Sequence, residues 1–101
     1  MAHVRVIVMT WSLELDTPQG RAIAREVVDE FVPLLSSQPG FISLQGFVAS
    51  DHERTSVTVT MWDSEEHAAA GTQAGAAWIQ EHVGQYVTSR AAYRGETLMS
   101  A

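Results

Sequence analysis

The hydrophobic pattern along the chain runs strand, helix, strand, strand, helix, strand, and predicts an α+β domain built on one antiparallel sheet. Three observations carry this reading. β-branched and apolar residues concentrate in 3–13, 41–50 and 55–62. An apolar stripe at helical spacing occupies 20–35. An alanine-rich segment follows a Trp-Asp-Ser-Glu corner at 62–65. With 101 residues the chain is a single domain spanning 1–101, because so short a chain does not divide into two packed cores.

His3 to Leu13 is apolar on both alternating faces, with Val4, Val6, Val8 and Thr10 against Arg5, Ile7, Met9 and Trp11. A strand of that kind is covered on both sides and lies centrally. Asp16-Thr17-Pro18 reads as a helix start, a capping residue followed by proline in the first turn. Ile23, Val27, Phe31 and Leu34 or Leu35 then share one face of an amphipathic helix, which Pro33 kinks or ends and Ser36 to Gly40 stops. Phe41 to Ser50 is the second strand, where Gly46 marks a bulge or a close backbone approach. Asp51 to Arg54 turns the chain into a third strand, Thr55 to Trp62. Its Val57, Val59 and Met61 face suits a dry interior, and its Ser56, Thr58, Thr60 and Trp62 face something wetter. Asp63 caps the second helix with Glu66 as its capping-box partner, and Gly71 to Gly75 splits that helix before it restarts over Gly75 to Val83. A last strand runs from about Tyr86 to Leu98.

The order β-α-β-β-α-β is the split, ferredoxin-like arrangement with both helices on one face of the sheet. The other face is apolar on the first and third strands and needs a cover. A second copy packed sheet to sheet about a two-fold axis is the economical one, giving a homodimer. Area scaling leaves about 5,600 Å² exposed on a chain of this mass, too little protein to enclose a deep cavity from one subunit alone.

Composition narrows the function. A net charge of −6, with all six basic residues arginine, argues against nucleic acid, which needs clustered cations. The absence of cysteine removes disulfides, thiolate metal sites and a cysteine nucleophile. No stretch approaches the roughly 20 apolar residues of a membrane span, and the first residues read as a strand and not as a signal peptide, so a cytoplasmic protein is expected.

Pro39-Gly40-Phe41 opening one strand, and Thr60-Met61-Trp62-Asp63-Ser64-Glu65-Glu66 ending the next, resemble the antibiotic-biosynthesis monooxygenases of the dimeric α+β barrel group. The resemblance runs over nearly the whole chain in length and element order. It implies a pocket in each subunit between sheet and helices, with the dimer closing the barrel. In some members an anthrone is oxidised to a quinone by O2 without metal, flavin or haem, and a tryptophan matching Trp62 faces the ligand beside polar residues of the same strand, here Thr58 and Thr60. In the haem-degrading branch a tryptophan and a ligating histidine lie on the second helix and an asparagine on the first strand. Laid on that branch, this sequence has Gly71 and Gln80 at the helix positions and no asparagine on the strand. His82 stands two residues from the ligand position, a rotation of about 200°.

These candidates have plainer readings beside them. Trp62 closes the end of a small core or faces a ligand. Trp78 fills the space left by neighbouring alanines or lines the pocket, and Trp11 is a pocket wall or a dimer contact. His67 follows Glu65 and Glu66 and suits either a solvated helix face or a substrate contact; His82 is the candidate general base for a phenol or enol. No third ligand accompanies the two histidines at metal-site spacing, so no metal is expected. Asp63, Glu65 and Glu66 are explained by the helix N-terminus they occupy, and Arg90 and Arg94 by surface ion pairs. The sequence therefore favours a cofactor-independent monooxygenase acting on an aromatic, polyketide-like phenolic substrate with O2. Its alternatives are a haem-binding or haem-degrading enzyme, and a ligand-binding dimer without chemistry.

Overall fold

In the computed structural model, which describes residues 2–101, the strand-forming runs pair into one antiparallel sheet. β1 (His3–Trp11), β2 (Phe41–Val48), β3 (Thr55–Trp62) and β4 (Val87–Glu96) stand in the order β2-β3-β1-β4. The first strand is central, between β3 and β4, as its two apolar faces require. The helices cover one face, and the topology is the ferredoxin-like split βαβ.

The first helical region starts where the sequence places it. Thr17 Oγ1 accepts the Gly20 N–H at 3.1 Å, and Pro18 sits in the first turn of α1 (Pro18–Glu26). Pro33 neither ends nor breaks the run. The chain opens into a π-helical turn over Val27–Phe31 and continues as α2 (Val32–Ser36). The Val32 N–H reaches back five residues to the Val27 carbonyl, and this widened turn takes up the proline's missing donor and ring bulk.

α3 (Glu65–His82) corrects two further expectations. Its cap is Ser64, whose Oγ accepts the His67 N–H at 3.1 Å, not Asp63 with Glu66. It also runs unbroken for 18 residues through both glycines. A Cβ on Gly71 would lie 2.0 Å from Trp62 Cη2, and one on Gly75 would lie 3.1 Å from Leu35 and 3.2 Å from Phe31. Each glycine costs an exposed helix about 1 kcal/mol relative to alanine. Here the missing side chain is the space into which the sheet and α2 pack.

The strand details shift too. The register irregularity of β2 falls between Phe41 and Ser43, not at Gly46, whose would-be Cβ meets only ordinary contacts. A 3-10 turn over Gly84–Tyr86 precedes β4, so the last strand begins at Val87 and ends at Glu96. The central strand ends at Trp11, before the expected Leu13.

Register settles which side chains share a face. Trp62 stands opposite His3, Thr60 opposite Arg5, Thr58 opposite Ile7 and Ser56 opposite Met9. This set looks at the helices and joins a core containing Met9, Trp11, Phe31, Leu35 and Trp78. The Val57, Val59 and Met61 face, read from sequence as interior, is the uncovered one, shared with Val4, Val6, Val8, Phe47 and Tyr93. Phe47 and Tyr93 are 57% and 63% exposed. The chain exposes 6358 Å², above the roughly 5,600 Å² expected of a monomer this size.

Candidate active site

Between sheet and helices lie two adjoining cavities with Met9, Phe31, Thr58 and Ile79 in the walls of both. The smaller is bounded by Thr58, Thr60, Trp62, Thr72, Gly75 and Arg90 and offers about 40 Å³ to the centre of a water-sized sphere. That holds roughly three waters at 10–15 Å³ each. The larger offers about 390 Å³ on the same measure, within the range of small-molecule sites. Its walls are apolar, from Trp11 and Leu15 through Ile23, Val27, Val28 and Val32 of the first helical region to Leu44 and Gly46 of β2.

Trp62 is completely buried. Its Nε1–H donates to Thr60 Oγ1 at 2.9 Å, and its ring meets Phe41 edge-on at 5.6 Å between centroids. The six-membered ring stands where a Gly71 side chain would be. The indole N–H is thus already partnered, and Trp62 presents a ring to the small lobe, not a donor. Thr60 is itself buried at 6% exposure. Having accepted from Trp62, its hydroxyl keeps a proton to donate.

Trp11 is a wall of the larger lobe. It projects to the helix-covered face, and its Nε1–H donates to Ser56 Oγ at 2.9 Å, so it is not a contact of the open face. Three other sequence candidates lie elsewhere. Trp78 is packed between Phe31 at 5.6 Å and His82 at 4.6 Å and lines neither lobe. His82 is on the far side of that stack, its Nδ1 3.4 Å from Glu26 Oε1. His67 is at the corner after β3, with Nδ1 2.6 Å from Asp63 Oδ1, a pairing that holds the Asp63 carboxyl below its ordinary range. Both abut Gly40, which has φ +79° and would place a Cβ 2.3 Å from Asp63 Oδ1, so only glycine fits there. The two histidines fifteen positions apart on α3 do not meet.

Arg90 was missed as a site residue and read as a surface partner. It stands opposite Met9, and is the one charged side chain among the described residues lining either lobe. β4 alternates too weakly for the sequence to show this, and only the pairing with Met9 places Arg90 on the covered face. Arg94 and Arg5 both pair with Glu65 at the start of α3, the former at 3.7 Å, so neither faces the lobes.

No protein-family model matches the chain, and no curated protein sequence does. Solved structures do match. A protein described as an antibiotic biosynthesis monooxygenase, from Nitrosomonas europaea, superposes with a TM-score of 0.75 at 13% identity, over 96% of this chain and 90% of its own. SnoaB, a cofactor-independent oxygenase from Streptomyces nogalater, gives 0.72 at 12% identity over 98% and 95%. The fold is that of these oxygenases. A dimeric ferredoxin-like protein from an uncultured marine organism shares it at 0.74 and 14% identity, over 99% and 90%.

The residues present do not fit haem. Among the described residues neither lobe is lined by histidine, cysteine or tyrosine; Met9 is the one sulfur in the walls, and a methionine ligates haem iron beside a histidine, which neither lobe offers. The space beside Gly71 is taken by the Trp62 ring.

Proposed function

We propose that this chain is a cofactor-independent monooxygenase that oxidises an apolar phenolic or enolisable aromatic substrate with O2. The observation that carries the reading is the union of an apolar cavity of about 390 Å³ with a small polar lobe holding Arg90, Thr58 and Thr60. The ring system occupies the larger lobe against Trp11 and Phe31. Its acidic carbon and oxygen point across Thr58 into the smaller one.

Among the described residues no side chain lining either lobe is a base at neutral pH, and His82 lies outside both. The substrate proton leaves to water. Arg90 and the threonine hydroxyls stabilise the enolate or phenolate that remains, worth more here than in bulk water because the walls are apolar. The anion passes one electron to O2, and the substrate radical and superoxide combine at carbon. Protonation gives a hydroperoxide, which loses water to leave a carbonyl. One oxygen atom enters the product and the other leaves as water, with no outside reductant. The protein's share is orientation and exclusion of solvent. The open, apolar sheet face supports a homodimer packed sheet to sheet as the working unit.

Oxygen-electrode assays with hydroxyanthrones test the reading directly. Turnover is expected without added metal or flavin, falling about 100-fold in Arg90→Gln through loss of charge stabilisation. No O2 uptake across such a panel, or full activity in Arg90→Gln, would sink it.

A further inference from the structure

We propose that Glu26, Glu30 and His82 form a binding site for a first-row divalent transition metal, outside both lobes and independent of the oxygenase reading. Sequence spacing gave the α3 histidines no third ligand. The fold supplies one histidine with two carboxylates from another element. The potential ligand atoms of Glu26, Glu30 and His82 all lie within 4.8 Å of one another, and His82 Nδ1 is 3.4 Å from Glu26 Oε1. A zinc ion bound at roughly 2.0–2.2 Å to each donor separates them by about 3.3–4 Å, so small side-chain rotations close the site.

Several features distinguish this from a chance surface cluster. Glu26 and Glu30 flank and occupy the π-helical turn, four residues apart on one face of one helical region. Like charges so placed repel, and among the described residues no arginine forms an ion pair with either. His82 is the group that approaches them, and its ring is fixed: it stacks on the buried Trp78 at 4.6 Å with 19° between planes. Glu26 and His82 are both half-buried, so two donors are held while the more exposed Glu30 swings in. A π-helical turn is an uncommon conformation that recurs at functional sites. Here it sets both carboxylates against the one oriented imidazole.

The donor set names the metal class. One imidazole with two carboxylates suits Zn2+, Co2+ or Mn2+, whereas Ca2+ and Mg2+ prefer all-oxygen shells. Three protein ligands leave a fourth position open. The ion would tie the last turn of α3 to the π-helical turn, whose Val27 and Val28 wall the larger lobe, so occupancy would stiffen that wall.

The test uses the whole chain stripped with EDTA. Calorimetric titration with Zn2+ is expected to show one ion per chain at micromolar Kd or tighter. His82→Gln and Glu26→Gln should each weaken binding at least tenfold. Glu30→Gln, at an exposed position and so safe for folding, should weaken it severalfold, and His52→Gln, in the exposed turn between β2 and β3, should leave it unchanged. Co2+ is expected to quench tryptophan emission, because His82 lies against Trp78, and Trp78→Phe should abolish most of that quench. Equal affinity for Ca2+, unchanged Zn2+ affinity in His82→Gln and Glu30→Gln, or quenching that survives Trp78→Phe would each overturn the proposal. So would the absence of binding below millimolar Zn2+.

Discussion

The two faces of the sheet invert the usual order of a small protein. The face under the helices carries Ser56, Thr58, Thr60 and Arg90 among its aromatic residues, while the face left open carries Val4, Val6, Val8, Val57, Val59 and Met61. Ile7, Met9 and Trp11 give the covered face its core, but a lone monomer is left with apolar surface wet on the other side and with hydroxyls and a guanidinium beside a cavity. It makes sense when the open face is a contact between copies and the covered face is a site. The polar residues lie where they can act on something small, and the apolar ones where they can be covered by something large.

Breaking the open face has the largest expected effect. Val59→Asp places a carboxylate in the patch on both copies of a two-fold pair, where like charges cost several kcal/mol. Sedimentation should show the dimer constant weakened by about 1,000-fold, with the far-UV spectrum of the chain retained. A variant that sediments as wild type would assign the open face to something other than self-association.

On the covered face the strongest effect comes from the fit of Trp62 against α3. Gly71→Ala would normally favour a helix, by about 1 kcal/mol. With the new carbon 2.0 Å from the Trp62 ring, overpacking of roughly 1–3 kcal/mol outweighs that gain, and urea denaturation should show a net loss of up to about 2 kcal/mol. In Trp62→Phe, whose smaller ring vacates that space, the same change should cost less than half as much. Equal costs in both backgrounds would show that Trp62 does not set the spacing between β3 and α3.

That pairing also shows how far the sequence could be read. Element order, strand centrality and the Thr17–Pro18 helix start follow from local periodicity and capping chemistry, which act within a few residues. The glycines of α3 were misread as a break because their reason lies in tertiary packing and not in local propensity: Gly71 answers to Trp62 and Gly75 to Phe31 and Leu35. Thr58, Thr60 and Trp62 were legible as one face by alternation. Arg90 was not, because β4 is too polar for alternation to show which of its sides is covered, and only its register with Met9 decides. His82 was drawn to the pocket by its element alone. Its rotation about α3 puts it on the side facing Glu26, a tertiary fact.

A smaller effect separates function from packing within the covered face. Thr58→Val keeps shape and removes one hydroxyl from the wall common to both lobes. A lost hydrogen bond to the reacting oxygen is worth about 1 kcal/mol, so kcat/KM on a hydroxyanthrone should drop about fivefold to tenfold with the melting temperature little changed. Thr60→Val should instead lower stability as well, because the Trp62 Nε1–H would be left buried without its acceptor. If both variants lose stability alike and neither loses activity, the two threonines are only packing.

The smallest effect lies just past Trp62, where the covered face ends and the exposed corner begins. Asp63 has its carboxyl held below its ordinary value of 3.8, first by the hydrogen bond from His67 and partly against desolvation. A depressed folded-state pKa stabilises the protein above the unfolded value, and that contribution disappears as pH falls through the folded one. Thermal melts taken downward from about pH 5 should therefore show the wild type losing stability below about pH 4, and Asp63→Asn losing it less steeply, the two curves converging at the acid end. Because the pair is exposed, solvent and salt screen it and the difference should shrink further in high salt. Parallel curves would mean that Trp62 packing alone holds the corner, and that the Asp63–His67 pair merely sits on a turn already fixed by Gly40.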